Sequence, residues 1–296
     1  MFDAPMMQPT MQRPSLQPTR PSLHDALAAR MPSVLASASA HCNQSAMSWS
    51  FLSVVDGTAL SISAGLSDRR KNTSSTSDDM FAWGSATKVL TASAMMRLVD
   101  AGLISLNDTA IEHADPFLRR ITANQSNLVT LLGPRMRNVT VGMLLGMKSG
   151  LRDYDTPTLR AYQNNHPHLD MGPVRVLIDF ANRTDCGHTS CQWQCDPGTC
   201  GAYSSTNYVI AGLILAHHAS SRPVSWDAYD QRASLPSNLP EAMAFPVRGT
   251  CGNYSTATGQ VCLPTHQHIA MPLSDTLCVC YFTGLFDHPR LRACWV

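Results

Sequence analysis

Residues 86–101 constrain this chain more than any other segment. There Leu90, Ala94 and Leu98 recur at every fourth position, and Gly102 follows as a stop. Apolar residues at i, i+4 and i+8 share one face of an α-helix, and a glycine just past the last turn readily takes the left-handed conformation that ends one. The segment therefore demands a core that receives one helix face. At its start stand Ser85 and Lys88. Residues i and i+3 lie on one helix face, so the Lys88 ammonium can reach the Ser85 hydroxyl. The chain has three lysines, Lys71, Lys88 and Lys148, and only Lys88 stands three residues after a serine. A lysine that loses its proton in a dry pocket can act as the base for a serine nucleophile. The helix N-terminus adds N–H donors for an oxyanion. The bland alternative is a capping serine beside a surface lysine, and the four-residue pattern alone favours it.

A second candidate is Tyr203, in the loop Pro197-Gly198-Thr199-Cys200-Gly201-Ala202-Tyr203 ahead of an apolar helix over 207–218. A phenol in a loop can relay a proton to a leaving group, although an ordinary aromatic at a helix entry has the same appearance. The histidines offer no metal pattern. H-E-x-x-H is absent, and His166/His168 and His266/His268 are spaced by two in loops, where solvated side chains are the default. There is no G-x-S-x-G elbow, Walker loop or G-x-G-x-x-G.

The remaining elements follow from periodicity and turn chemistry. Leu23, Leu27 and Met31 predict a helix over 22–35. Residues 48–64 read as a β-hairpin with strands 50–55 and 59–63 about the turn Asp56-Gly57. A polar loop follows over 68–79. Short helices are expected over 107–119, with Pro116 blurring the boundary, and over 140–147 and 175–182. Ser205 and Thr206 are the expected caps of the 207–218 helix. Beyond about 220 the pattern weakens, apart from a strand expected over 276–282. Residues 1–22, rich in Met, Pro, Gln and Ser, read as a disordered tail.

Charge and hydropathy narrow the function classes. Twenty-two basic and 21 acidic residues leave a formal charge of +1, so no strong field draws the chain to nucleic acid or anionic lipid. The longest apolar run, 208–216, is too short to span a bilayer.

Compartment is read from two features. Apart from Cys42, the 10 cysteines lie at or beyond Cys186. Cys186, Cys191, Cys195 and Cys200 fit either a zinc site, with His188, or a disulfide-stapled loop. The C-x4-C-x3-C-x4-C spacing lacks the C-x2-C knuckles of most structural zinc sites and favours the staple. Asn-x-Ser/Thr sequons occur at Asn43, Asn72, Asn107, Asn124, Asn138, Asn182 and Asn253, where about two would arise by chance. The excess points to an extracellular or secretory-pathway lumenal glycoprotein, with Ser/Thr-rich composition as the alternative. The N-terminus pulls the other way, because no continuous apolar stretch of a signal peptide is visible in residues 1–22.

Three segments together resemble the serine β-lactamase and penicillin-binding superfamily, in the branch of class C β-lactamases and D-alanyl-D-alanine carboxypeptidases. Phe81-Ala82-Trp83-Gly84-Ser85-Ala86-Thr87-Lys88 looks like the first motif. The stretch 139–151, ending Ser149-Gly150-Leu151, looks like the segment between motifs. Tyr203-Ser204-Ser205, in its run to Gly212, looks like the second motif. The likeness covers roughly 23–220. It implies an α/β (α+β) fold, an antiparallel sheet flanked by helices with an inserted helical subdomain. By the resemblance Ser85 would be the acylated nucleophile, Lys88 its proton acceptor and Tyr203 a proton shuttle. Ser205 would stand where the family usually has a substrate-binding Asn. The reaction would be acyl transfer on a small-molecule or peptide amide or ester, with no cofactor or metal. The third motif, Lys/His-x-Gly on a strand, is not found. Phe282-Thr283-Gly284 has the wrong first residue and lies too close to Tyr203. The expected division is thus a tail over 1–22, the β-lactamase-related part over 23–220 and a Cys-containing segment over 221–296, with a fold that can be incomplete. Two other readings stand beside the hydrolase: a silent relative that at most binds, and a cysteine-rich interaction module.

Overall fold

The computed structural model describes residues 21–42, 46–68, 71–77, 79, 84–166, 169, 171–181 and 192–237, together with the backbone of three strands between 246 and 261. Helix α1 (Leu23–His41) opens on Ser22, whose hydroxyl accepts the Asp25 N–H. It outruns the expected end at 35 and passes through Pro32, because Leu35 and Ser39, one turn apart, are both buried. It packs on the hairpin of β1 (Met47–Leu52) and β2 (Ala59–Ala64).

The hairpin is antiparallel and in register from Met47 opposite Ala64 to Leu52 opposite Ala59. Trp49 and Phe51 share one face with ring centroids 6.1 Å apart. The first strand ends earlier than expected, and Val54 and Val55 stand 94% and 93% exposed in the connection. Asp56 is the reason: its Oδ1 accepts the Thr58 N–H at 3.1 Å and the Thr58 hydroxyl at 2.8 Å, which folds 53–58 into a loop. The expected polar loop after it carries a small antiparallel pair, β3 (Leu66–Asp68) with β4 (Thr73–Ser74).

The core lies among the helices. These are α2 (Thr87–Asp100), α3 (Ala110–Ile121), α4 (Leu128–Leu132), α5 (Val141–Leu145), α6 (Pro157–Asn165), α7 (Pro173–Arg175, running on as a π-turn to Ala181) and α8 (Thr206–His218). Helix α3 continues through Pro116. The lost bond would run to the carbonyl of exposed Glu112, while buried Ala114, Phe117 and Leu118 hold the helix from either side. Helix α8 is the axis of this body: every residue from Thr206 to Ala216 is buried, against α3, α2 and α5. The strands β5 (Pro246–Thr250), β6 (Asn253–Thr256) and β7 (Gly259–Val261) form a third antiparallel sheet. The architecture is the mixed one expected, with the strands divided among three small sheets. The strand expected over 276–282 and the tail over 1–20 lie outside the described residues. Among the described residues no helix is long and apolar enough to cross a membrane.

A polar chain joins α3 to α8. Asp108 Oδ2 accepts the Ser105 N–H and lies 3.0 Å from His113 Nε2, and His113 Nδ1 lies 3.1 Å from His218 Nε2. Hydrogen bonds from Ser105 and His113 hold the Asp108 carboxyl below its usual range, so it is ionised and can only accept. His113 then donates through Nε2 to Asp108 and faces His218 Nε2 through Nδ1. Burial, with His217 and His113 beside it, pushes the His218 imidazole down to about 4. Between that value and about 6.5 the unfolded chain binds the proton and the folded chain does not, so stability rises with pH across this window. The unscreened shift would correspond to about 3 kcal/mol; for a half-exposed ring about 1–2 kcal/mol is expected. Urea unfolding at pH 4 to 7 should show this loss on acidification, and His218→Gln should flatten it. An unchanged slope in that variant would assign the loss to other groups.

Candidate active site

A single 3-10 turn, Gly84–Ala86, delivers Ser85 to the N-terminus of α2, and the next turn carries Lys88. Lys88 Nζ donates to Ser85 Oγ at 3.2 Å. Tyr203 arrives from 118 residues further along the chain, and its hydroxyl lies 2.5 Å from Ser85 Oγ. The Lys88 ammonium sits 5.1 Å above the Tyr203 ring centroid and 5.7 Å above that of Tyr208, within cation–π range of both. Burial pushes the Tyr203 phenol up. Hydrogen bonds with Lys88, Ser85 and Ser205, together with the Lys88 charge, outweigh it and hold the phenol below its usual range. Two polar groups of different acidity, an ammonium and a phenol, thus meet at the Ser85 hydroxyl. Ser85 is exposed and Tyr203 is 55% exposed, so a substrate can reach them.

The approach of Tyr203 has a local cause. Residues 147–152 run beside 192–202, with Arg152 N–H donating to Gln192 O at 2.8 Å, Gln194 N–H to Gly150 O at 2.7 Å and Ala202 N–H to Met147 O at 3.0 Å. Trp193, 5% exposed, anchors this ribbon by donating Nε1–H to Leu132 O. A disulfide joins Cys195 to Cys200 and closes the loop that leads into Tyr203. That pairing meets the staple reading for these two cysteines and removes both as free thiolate ligands for zinc. Cys186, Cys191 and His188 lie outside the described residues. Cys42, remote from the group in sequence, is also disulfide-bonded.

Ser205 departs from expectation. It occupies the N-cap position of α8 in a helical conformation, and its side chain makes no capping bond. Its N–H donates to Asp153 Oδ1 at 3.1 Å and its hydroxyl faces Asp153 Oδ2 at 3.5 Å. Thr206, the other expected cap, donates its hydroxyl to Arg152 O and accepts the Tyr154 N–H. Both side chains are used as cross-links to 152–154, and this ties the Tyr203 turn to the Ser149-Gly150-Leu151 segment. Asp153 and Tyr208 were not singled out by sequence reasoning. The signal for Asp153 is faint, one of two acidic residues, with Asp155, shortly after Gly150. Phe282-Thr283-Gly284 lies outside the described residues.

Residues 35–231 match the family described as Beta-lactamase. Among curated proteins, penicillin-binding protein 4 of Amycolatopsis lactamdurans is 30% identical over 195 residues, which make up 65% of this chain and 43% of that protein. Among solved structures, a D-stereospecific amidohydrolase from Streptomyces sp. is similar at 22% identity and a TM-score of 0.49, over 66% of this chain and 50% of the other. The octameric penicillin-binding protein homologue from Pyrococcus abyssi gives 22% identity and a TM-score of 0.47, over 64% and 39%. The chain spans less than half the length of the curated relative it matches.

Proposed function

We propose, from the premise that the chain belongs to the beta-lactamase family, that it is a serine hydrolase acting by acyl transfer on a small amide, peptide or ester. The observation that carries this reading is the meeting of Lys88 Nζ and Tyr203 OH on Ser85 Oγ. As Oγ bonds to the substrate carbonyl carbon its proton passes to Lys88 Nζ, which accepts it only after releasing one of its own. The Ser85 N–H, at the helix N-terminus, donates to the oxyanion. Tyr203 gives its proton to the leaving nitrogen or oxygen as its bond to carbon breaks, and Lys88 Nζ hands the serine proton on to the phenolate. Water then repeats the attack on the acyl-serine and restores the hydroxyl. Ser205 serves the substrate from the neighbouring turn, and the 23–220 unit carries all four residues. The test is covalent labelling by a fluorophosphonate, read by intact mass, on the full chain and on Ser85→Ala. One adduct that Ser85→Ala loses supports the reading. No adduct on a folded chain favours the runner-up, a silent relative that at most binds.

The compartment reading rests on the sequon excess and is supported by geometry. Four of the seven sequon asparagines, Asn72, Asn107, Asn124 and Asn138, have described side chains, and all four are exposed. The reading is accordingly of a secreted or lumenal glycoprotein, and among the described residues no helix is long and apolar enough to cross a membrane. Produced as encoded in a eukaryotic host, it should lose several glycan masses on treatment with peptide N-glycosidase. An unchanged mass would refute the assignment.

A further inference from the structure

Asp153 is a half-buried carboxylate that the chemistry above leaves without a task. Its Oδ1 is saturated by the N–H groups of Ser205 and Asp155, each at 3.1 Å. Its Oδ2 faces only the Ser205 hydroxyl, at the outer limit of a hydrogen bond, 3.5 Å. Among the described residues no lysine, arginine or histidine lies within ion-pair distance of it. We propose that Asp153, with Ser205, anchors an ammonium group of the substrate, so that the chain acts on amides or esters whose acyl part bears a free amine beside the carbonyl.

Donor and acceptor chemistry supports this. The Asn that the family usually carries at this position offers both an amide donor and a carbonyl acceptor. Here the one Ser205 proton is taken up by Tyr203 or by Asp153, between which the hydroxyl lies, and the carboxylate has no proton to give. The pair therefore presents lone pairs only, and suits a ligand that brings the hydrogens. A neutral N–H would satisfy the geometry, whereas an ammonium also brings to ion-pair distance a positive charge that Lys88 supplies only from further away. Burial raises the Asp153 carboxyl, against the N–H groups of Asp155 and Ser205 and the Lys88 charge, and Asp155 raises it further. Burial thus outweighs the compensation that the two N–H groups and the more distant Lys88 charge supply. An amine beside the carbonyl is chosen because Ser205 bonds the Tyr203 phenol, whose hydroxyl touches Ser85 Oγ, so the pair lies next to the group that meets the carbonyl.

The inference rests on the hydrolase reading only for the place of the carbonyl, so its test uses binding rather than turnover. Leucinamide and its amine-free counterpart, 4-methylpentanamide, would be titrated into full-length Ser85→Ala protein and followed by NMR. Leucinamide should bind at least about tenfold more tightly, the scale of a charge-assisted hydrogen bond. Asp153→Asn keeps the shape and the acceptor for the Ser205 N–H, and should bring the two ligands to similar affinity. N-acetylation of leucinamide should remove the preference too, and this arm does not depend on the Asp153 variant folding. Equal affinity, no binding by either amide, or a preference that survives Asp153→Asn or N-acetylation would overturn the proposal. A chain that selects the amine but resists fluorophosphonate would retain the anchor and lose the hydrolase.

Discussion

Lys88→Met is expected to slow fluorophosphonate labelling of Ser85 by about 10²- to 10⁴-fold while leaving the fold in place. The range is that of a positioned general base. Lys88 is the one cation hydrogen-bonded to Ser85 Oγ among the described residues, and its reach is set by a single helical turn. Methionine preserves the length and apolar stem of the side chain, so the stem keeps its place between the Tyr203 and Tyr208 rings. The Tyr203 phenol loses both a hydrogen bond and a nearby positive charge, and should return toward its ordinary range. Tyr203 cannot then take over as base near neutral pH. The comparison is of second-order labelling rates by intact mass, with circular dichroism as the control on folding. A variant labelled at the parental rate would remove Lys88 from the chemistry and make Ser85 an unassisted, merely exposed serine.

Gly150→Ala should cost about 3 kcal/mol or more of stability and slow labelling as well. Gly150 has φ of +80°, where a side chain is strained. An added Cβ would also stand 2.3 Å from the Cys195 carbonyl oxygen and 3.1 Å from its sulfur. The oxygen belongs to backbone, and the same residue is held by the disulfide to Cys200. Neither can swing aside, so the two paired segments must part. Left-handed strain and overpacking each account for about 1–3 kcal/mol. Parting 147–152 from 192–202 also displaces the loop that carries Tyr203, hence the effect on rate. Urea unfolding measures the first effect and labelling the second. A variant within about 0.5 kcal/mol of the parent would mean that the ribbon gives way at no cost, contrary to the geometry.

What the sequence disclosed about this site follows from sequence distance. The Ser85–Lys88 pair is local, and helix geometry alone puts the two groups together. Tyr203 is not local. Its place at Ser85 came from a resemblance spread over three segments, because no periodicity links residues 118 apart. Asp153 and the use of Ser205 escaped notice for the same reason: their bond depends on how two loops pair, and in the chain they are 52 residues apart. The long helices were readable because each buries a stripe. Helix α4 was not, since it is one turn long and starts with Asn127 and Thr130 capping each other, a reciprocal pair that departs from the usual Ser/Thr-x-x-Glu form. The end of β1 was misplaced because Val54 and Val55 have strong strand propensity, which the Asp56–Thr58 bonds override.

Helix α8 has a bearing on how this sequence can drift. Most surface helices keep an outward side on which mutations accumulate with little harm. From Thr206 to Ala216 no such side exists, since each successive residue is enclosed. Gly212, amid bulky Ile210, Leu213 and Ile214, belongs to the same enclosed run. Tolerance to substitution along α8 should therefore be uniformly low, a flat trough without the 3.6-residue ripple that α3 would give. Lineages that retain this body are confined to exchanges of matched volume there. The turn carrying Tyr203 is held at the head of the least changeable stretch of the chain, and its placement is inherited along with it.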